Sequence, residues 1–87
     1  MRRQYAVIFE EGPTSHGAYV PDLPGCVAVG ASRAEVEKLI EEAIAFHIEG
    51  MLLHGETVPE PTSQVGYVDV DMARVEANVA AERQTSG

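Results

Sequence analysis

The spacing of apolar residues changes period along this chain, and each change marks an element. Residues 5–9 (Tyr, Ala, Val, Ile, Phe) are five consecutive apolar positions, rich in β-branched and aromatic types. Glu10, Glu11, Gly12 and Pro13 close them off. That pattern predicts a strand with both faces covered. Thr14, Ser15, His16 and Gly17 complete a turn-forming loop, and Ala18, Tyr19 and Val20 form a second short strand. Strands this close across a Gly/Pro loop predict an antiparallel hairpin. In Leu23-Pro24-Gly25-Cys26, Pro24 sets φ and Gly25 is free to take positive φ, which predicts a type II turn. Residues 26–30 follow as a third strand.

At Ser32 the period becomes helical. Ser32 and Glu35 have the spacing of a capping box, in which the hydroxyl caps the Glu35 amide and the carboxylate reaches back. Val36, Leu39, Ile40, Ala43, Ile44, Ile48, Met51 and Leu52 follow the 3.6-residue period. Glu35, Glu37, Lys38, Glu41, Glu42 and Glu49 lie largely outside that stripe. Gly55 marks the stop, with Pro59 and Pro61 beyond it, so one helix is predicted over about 32–54. Residues 56–63 read as a linker. Residues 65–70 alternate as a fourth strand, with Val68 and Val70 on one face and Tyr67 and Asp69 on the other. Asp71 is placed to cap a last helix from Met72 to about Arg83, with a weaker stripe of Met72, Val75, Val79 and Ala80. Residues 84–87 are expected to fray.

The fold class is therefore α+β, in the order βββαβ(α), with one long helix packed on one face of a single sheet. Two antiparallel hairpins leave the third strand parallel to the first. The long helix then suits a right-handed crossover to a fourth, parallel strand. One helix covers only one face of such a sheet, yet the first strand is apolar on both. A second copy of the chain is the simplest cover, so a homo-oligomer, dimer or tetramer, is expected.

At 87 residues the chain is long enough for one domain with a thin core. Its longest apolar run is far short of the about 20 residues that a membrane-spanning helix needs. Arg2 and Arg3 precede an apolar segment too short for a signal peptide. With a single cysteine, Cys26, no intramolecular disulfide forms, and a cytoplasmic location is expected. Fourteen acidic against six basic residues give a formal net charge of −8. Such a surface repels phosphate, so direct nucleic-acid binding by the isolated chain is not expected, and neither is membrane association. It attracts a basic protein partner and speeds the encounter, although simple solubility also accounts for the charge.

Catalytic chemistry finds little support. His47 and His54 are seven residues apart on the helix, which separates their Cα atoms by about 10.5 Å, too far to grip one metal ion easily. His16 sits in a loop without a partner at recognisable spacing. Cys26 has no neighbouring Lys, Arg or His to lower its pKa and reads as a small packed hydrophobe. Asp69 and Asp71 share one face of their strand and, with Glu10, suggest a divalent-cation site. A solvated acidic face explains them more simply. The glycines fit no phosphate-binding pattern.

The residues Tyr5, Val7, Phe9, Glu10 and Glu11, then a hairpin, then Pro21-Asp22-Leu23-Pro24-Gly25-Cys26, then Ser32 opening a long acidic helix, resemble the HicB antitoxin family. The resemblance covers about residues 4–72, and the combination of the Pro-Asp-Leu-Pro-Gly-Cys turn with the capped helix is its most specific part. It implies a partly degraded ribonuclease-H-like domain that has lost its catalytic carboxylates, with sheet order 3-2-1-4. It also implies a partner: a small, basic, mRNA-cleaving HicA-like toxin whose surface the antitoxin occludes. Many family members repress their own operon through a C-terminal DNA-binding domain. The residues after Asp71 suffice for one short helix, against roughly 40 or more for such a domain. Residues 1–72 are thus read as a HicB-like domain and 73–87 as a short C-terminal helix and tail, without that DNA-binding domain.

The expected function is toxin neutralisation by a non-enzymatic binding protein with no cofactor. Glu10, Glu11, Asp22, Asp69 and Asp71 are the candidate partner-binding residues. A residual metal-dependent nuclease and a self-assembling scaffold without a toxin are the alternatives.

Overall fold

The computed structural model describes residues 2–85. Three short strands come first, β1 (Ile8–Glu11), β2 (His16–Tyr19) and β3 (Val27–Gly30). They form one antiparallel sheet in the order β1-β2-β3, which leaves β1 and β3 parallel to each other, as expected. Two helices follow, α1 (Arg33–Leu53) and α2 (Met72–Thr85). The architecture is α+β. Of the fraying expected at 84–87, Gln84 and Thr85 instead continue α2, and Ser86 and Gly87 lie outside the described residues.

The turn between β2 and β3 forms as its residues dictate. The Cys26 amide donates to the Leu23 carbonyl at 3.0 Å, and Gly25 has a φ of 85°. That is position i+2 of a type II turn, where a side chain would be strained. The turn folds Leu23 inward, and Leu23 joins Ala18, Val20, Cys26, Val36 and Ile40 as the buried core. Tyr5, Val7, Phe9, Ala28, Ala43, Ile44 and Ile48 pack around them. Cys26 is thus a small hydrophobe within the core.

Helix α1 begins and ends at the expected places. Ser32 Oγ accepts from the Glu35 amide at 3.1 Å, and the Glu35 carboxylate accepts from the Ala31 amide at 3.0 Å, one residue further back than the usual box. At the other end Gly55 takes a φ of 71°. The Glu56 amide donates to the Met51 carbonyl at 2.8 Å and the Gly55 amide to the Leu52 carbonyl at 3.1 Å. These paired bonds are a Schellman stop, which requires the left-handed conformation that glycine takes most easily. The helix lies across β2 and β3 with Val36 and Ile40 fully buried.

Three expectations change. The first strand is shifted toward the acidic end: it starts at Ile8 and includes Glu10 and Glu11, whereas Tyr5 and Val7 precede it and pack on the core. His16 belongs to β2 rather than a loop, opposite Glu11 on one side and Gly30 on the other. Residues 65–70 belong to no strand; they run exposed between the linker and α2, so among the described residues the sheet has three strands and no second strand pairs with β1. Alternation shows that a segment suits a pleated surface, but pairing is a long-range choice that periodicity does not contain. The chain is accordingly elongated: its radius of gyration is 19.3 Å, against about 12 Å for a compact chain of this length.

Candidate partner-binding surface

Strand register divides the sheet into two faces. On the helix side, Phe9, Ala18 and Ala28 stand in one row across the three strands. On the other side Ile8, Tyr19 and Val27 form one row and Glu10, Gly17 and Val29 the next. Among the described residues no helix covers this second face, where Tyr19, Val27 and Val29 are exposed. Glu10 therefore sits at the margin of an open apolar face. Glu11 points to the opposite side, next to His16, and both carboxylates are exposed.

Asp22 plays a different part. Its carboxylate accepts four hydrogen bonds from the linker: from the amides of Thr62 and Ser63 at 3.0 and 2.9 Å, and from their hydroxyls at 3.1 and 2.8 Å. The bonds from Ser63, then those from Thr62, hold the carboxyl below its usual pKa, because each favours the charged form. The half-buried Asp22 is a staple that fixes the linker to the β2–β3 turn. Upstream, the Tyr5 hydroxyl donates to the Pro59 carbonyl at 2.6 Å and Arg3 pairs with Glu60 at 3.2 Å. Residues 59–63 are thus laid down on the body of the domain.

Asp69 and Asp71 lie beyond that staple on the exposed segment, not on a strand neighbouring Glu10. Asp71 caps α2, with its carboxylate 3.3 Å from the Arg74 amide. The structure therefore separates the five acids into three groups: Glu10 and Glu11 on β1, Asp22 inside the linker staple, and Asp69 and Asp71 on the arm. His54 caps α1, its Nδ1 2.7 Å from the Gly50 carbonyl. The Cys26 thiol is pushed up in pKa by its burial and stays neutral at physiological pH. Among the described residues no group of three or more His, Cys, Asp or Glu side chains is placed to hold a metal ion.

One part of the surface was not anticipated. Along the outer edge of β3, a groove of about 550 Å³ is lined by Val27, Ala28 and Val29 on the strand and by Leu39, Glu42, Ala43 and Phe46 on α1. Phe46 is 79% exposed. The available signal was its position: a large aromatic residue off the apolar stripe of an otherwise acidic helix face. A second hollow of about 660 Å³ lies between Ile44, Ile48 and Leu52 of α1 and the pinned linker, closed at one side by Tyr5. Among the described residues no helix is long and apolar enough to cross a membrane.

A three-stranded sheet crossed by α1, a tied-down linker and an acidic surface interrupted by open apolar edges make up the domain. Residues 5–70 match the model of the HicB-like antitoxins of bacterial toxin–antitoxin systems, and the chain belongs to that family. It is similar to a 14.9 kDa protein encoded in the rep–hol intergenic region of Haemophilus phage HP1, at 35% identity over 65 residues. It is also similar to UPF0150 protein Ta0767 of Thermoplasma acidophilum, at 38% identity over 45 residues. These matches cover 75% and 52% of this chain. They span 49% of the phage protein and 65% of the archaeal one, so the chain accounts for less than two thirds of either relative.

Proposed function

We propose that the chain is an antitoxin that binds a small, basic, HicA-like mRNA-cleaving toxin and silences it by covering its surface. The family match over residues 5–70 carries this reading. The formal charge of −8 supports it, since an acidic binder and a basic ribonuclease attract each other before contact. Neutralisation needs no bond made or broken, so the protein acts by occupancy alone and without a cofactor. Glu10, Glu11, Asp69 and Asp71 supply the attracting charge, and Asp22 contributes by placing the segment that bears the last two. Val27, Val29 and Phe46 supply apolar contact that expels water and slows dissociation. The acting unit is a homo-oligomer in the cytoplasm.

The test is co-expression with a HicA-like protein encoded in the same genome, scored by cell growth and by recovery of a complex. Growth rescue together with a complex that weakens as salt rises supports the reading. A toxin that still arrests growth, with no complex recovered, removes it.

A further inference from the structure

We infer that the outer edge of β3 takes up an extended, basic segment of a partner protein as an added strand, seated in the groove against α1. The first ground is the direction of the backbone groups. β3 pairs with β2 alone, so among the described residues its other side is an edge. The Val20 amide donates to the Cys26 carbonyl at 3.2 Å, which makes these two a hydrogen-bonded pair. In the same register Ala18 faces Ala28 and His16 faces Gly30. Bonded and non-bonded pairs alternate along an antiparallel ladder, so Ala28 and Gly30 bond to β2. Val27 and Val29 therefore turn their amides and carbonyls outward, as a template for another strand.

The second ground is the apolar floor beside that edge. Leu39, Ala43 and the exposed Phe46 line the groove from α1, and the Val27 and Val29 side chains are also exposed. Backbone groups and apolar side chains are thus uncovered along one line. Strand addition uses that combination: ladder bonds give affinity, and a pocket for alternate side chains gives specificity.

The third ground is charge, and it selects the occupant. Glu42 lines the groove, and Glu49 lies on the same helical row as Glu42 and Phe46, about 10.5 Å beyond Glu42. Both glutamates are exposed, and neither is in an ion pair among the described residues. No Lys or Arg lines the groove. A second copy would bring its own Glu42 and Glu49 to this rim. The chain's own residues 65–70 carry Asp69 and neither Lys nor Arg. Both occupants oppose like charges, whereas a basic segment is attracted. Alternate residues of a strand share a face about 6.7 Å apart. The segment that fits has a bulky apolar residue in the groove and Lys or Arg two positions to either side, reaching Glu42 and Glu49. The inference rests on the reading of a basic protein partner and adds where and how that partner is held.

The first probe is a short, end-blocked peptide of the order lysine, valine, leucine, valine, lysine. It is titrated into the isotope-labelled full chain up to about 1 mM. Strand addition predicts that the protection factors of the Val27 and Val29 amides rise, while that of Ala28, already bonded to β2, changes little. The same peptide with glutamate in place of lysine is expected to protect neither. Equal protection by both peptides overturns the choice of a basic segment. Shifts at Phe46 without protection at Val27 and Val29, or no response at all, overturn the added strand. Protection in the free chain that grows with protein concentration places a second copy on the edge and overturns it too. The second probe is the HicA-like protein of the same genome. In its complex the two amides become protected. Phe46→Ala raises Kd about tenfold, Glu42→Lys about fivefold, and Glu41→Lys, on the next face of the helix, less than about twofold. A complex that leaves Val27 and Val29 unprotected keeps the toxin reading and overturns the added strand. With no complex the toxin reading fails, and the peptide alone decides the edge. Phe46, Glu41 and Glu42 are exposed, so the circular dichroism of the variants stays that of the parent.

Discussion

Leu23 and Leu53 test whether the Pro-rich turn holds the domain together. Both are leucines in a chain with a small core, but Leu23 is 1% exposed and Leu53 is 78% exposed. Leu23 packs among Ala18, Val20, Cys26, Val36 and Ile40, so truncation to alanine removes its burial and leaves a hole that the stiff turn cannot close. A buried Leu→Ala change costs about 2–5 kcal/mol, and about 3 kcal/mol is expected here. The whole domain is stable by about 4–13 kcal/mol at this length, so the loss is a large fraction. It corresponds to a drop in Tm of about 12–24 °C. Leu53→Ala, with almost nothing to lose, is expected to stay within about 0.5 kcal/mol of the parent. Urea unfolding at one fixed protein concentration measures both, because self-association would otherwise shift the midpoints. Similar midpoints for the two variants would refute the assignment of Leu23 to the core. A shift for Leu23→Ala of less than about 1 kcal/mol would do the same.

The Asp22 staple is acid-labile: its folded pKa lies below the unfolded value, so its contribution is present at neutral pH and is lost as pH falls below about 4 through the folded pKa. The protection factors of the Thr62 and Ser63 amides, each exchange rate taken relative to the intrinsic rate at that pH, should fall over that range, and in Asp22→Ala they should be close to one at every pH; unchanged protection in the variant contradicts the staple. Burial raises the Cys26 pKa, so stability should decline as pH rises past about 8.5, where the unfolded thiol ionises first. Iodoacetamide at pH 8 should label the native protein far more slowly than the urea-unfolded one, and equal rates would show that the thiol is not in the core. Glu10→Lys and Glu11→Lys should slow association with a HicA-like toxin in stopped-flow mixing, with the difference shrinking as salt rises. Glu37→Lys on the outer side of α1 breaks only a 3.0 Å surface pair with Arg33 and should change the rate less; an equal effect would point to net charge rather than a particular surface.

Local rules account for most of what the sequence by itself determined. A hydroxyl at Ser32 and a carboxylate at Glu35 set the start of α1, and Gly55 set its end, because caps and stops depend on neighbours within one turn of the backbone. Leu23-Pro24-Gly25-Cys26 forms its turn for the same reason. The apolar stripe of α1 identified the buried Val36 and Ile40. The likeness to the HicB antitoxins rests on these same local features, and the family match over residues 5–70 bears it out. The acidic balance was equally legible, since charge needs only counting.

What only the tertiary structure decided involves residues far apart in sequence. Asp22 reads as one more surface acid until the linker, some 40 positions away, brings Thr62 and Ser63 to it. The strand period of residues 65–70 describes a capacity to pair and not a partner, and in the folded chain that capacity is unused. Phe46 shows its meaning only beside Val27 and Val29, which the hairpin carries to it across the sheet edge. Burial, capping and turns follow from short-range geometry; staples, strand partners and grooves depend on where distant segments come to rest, and that is settled by packing in three dimensions.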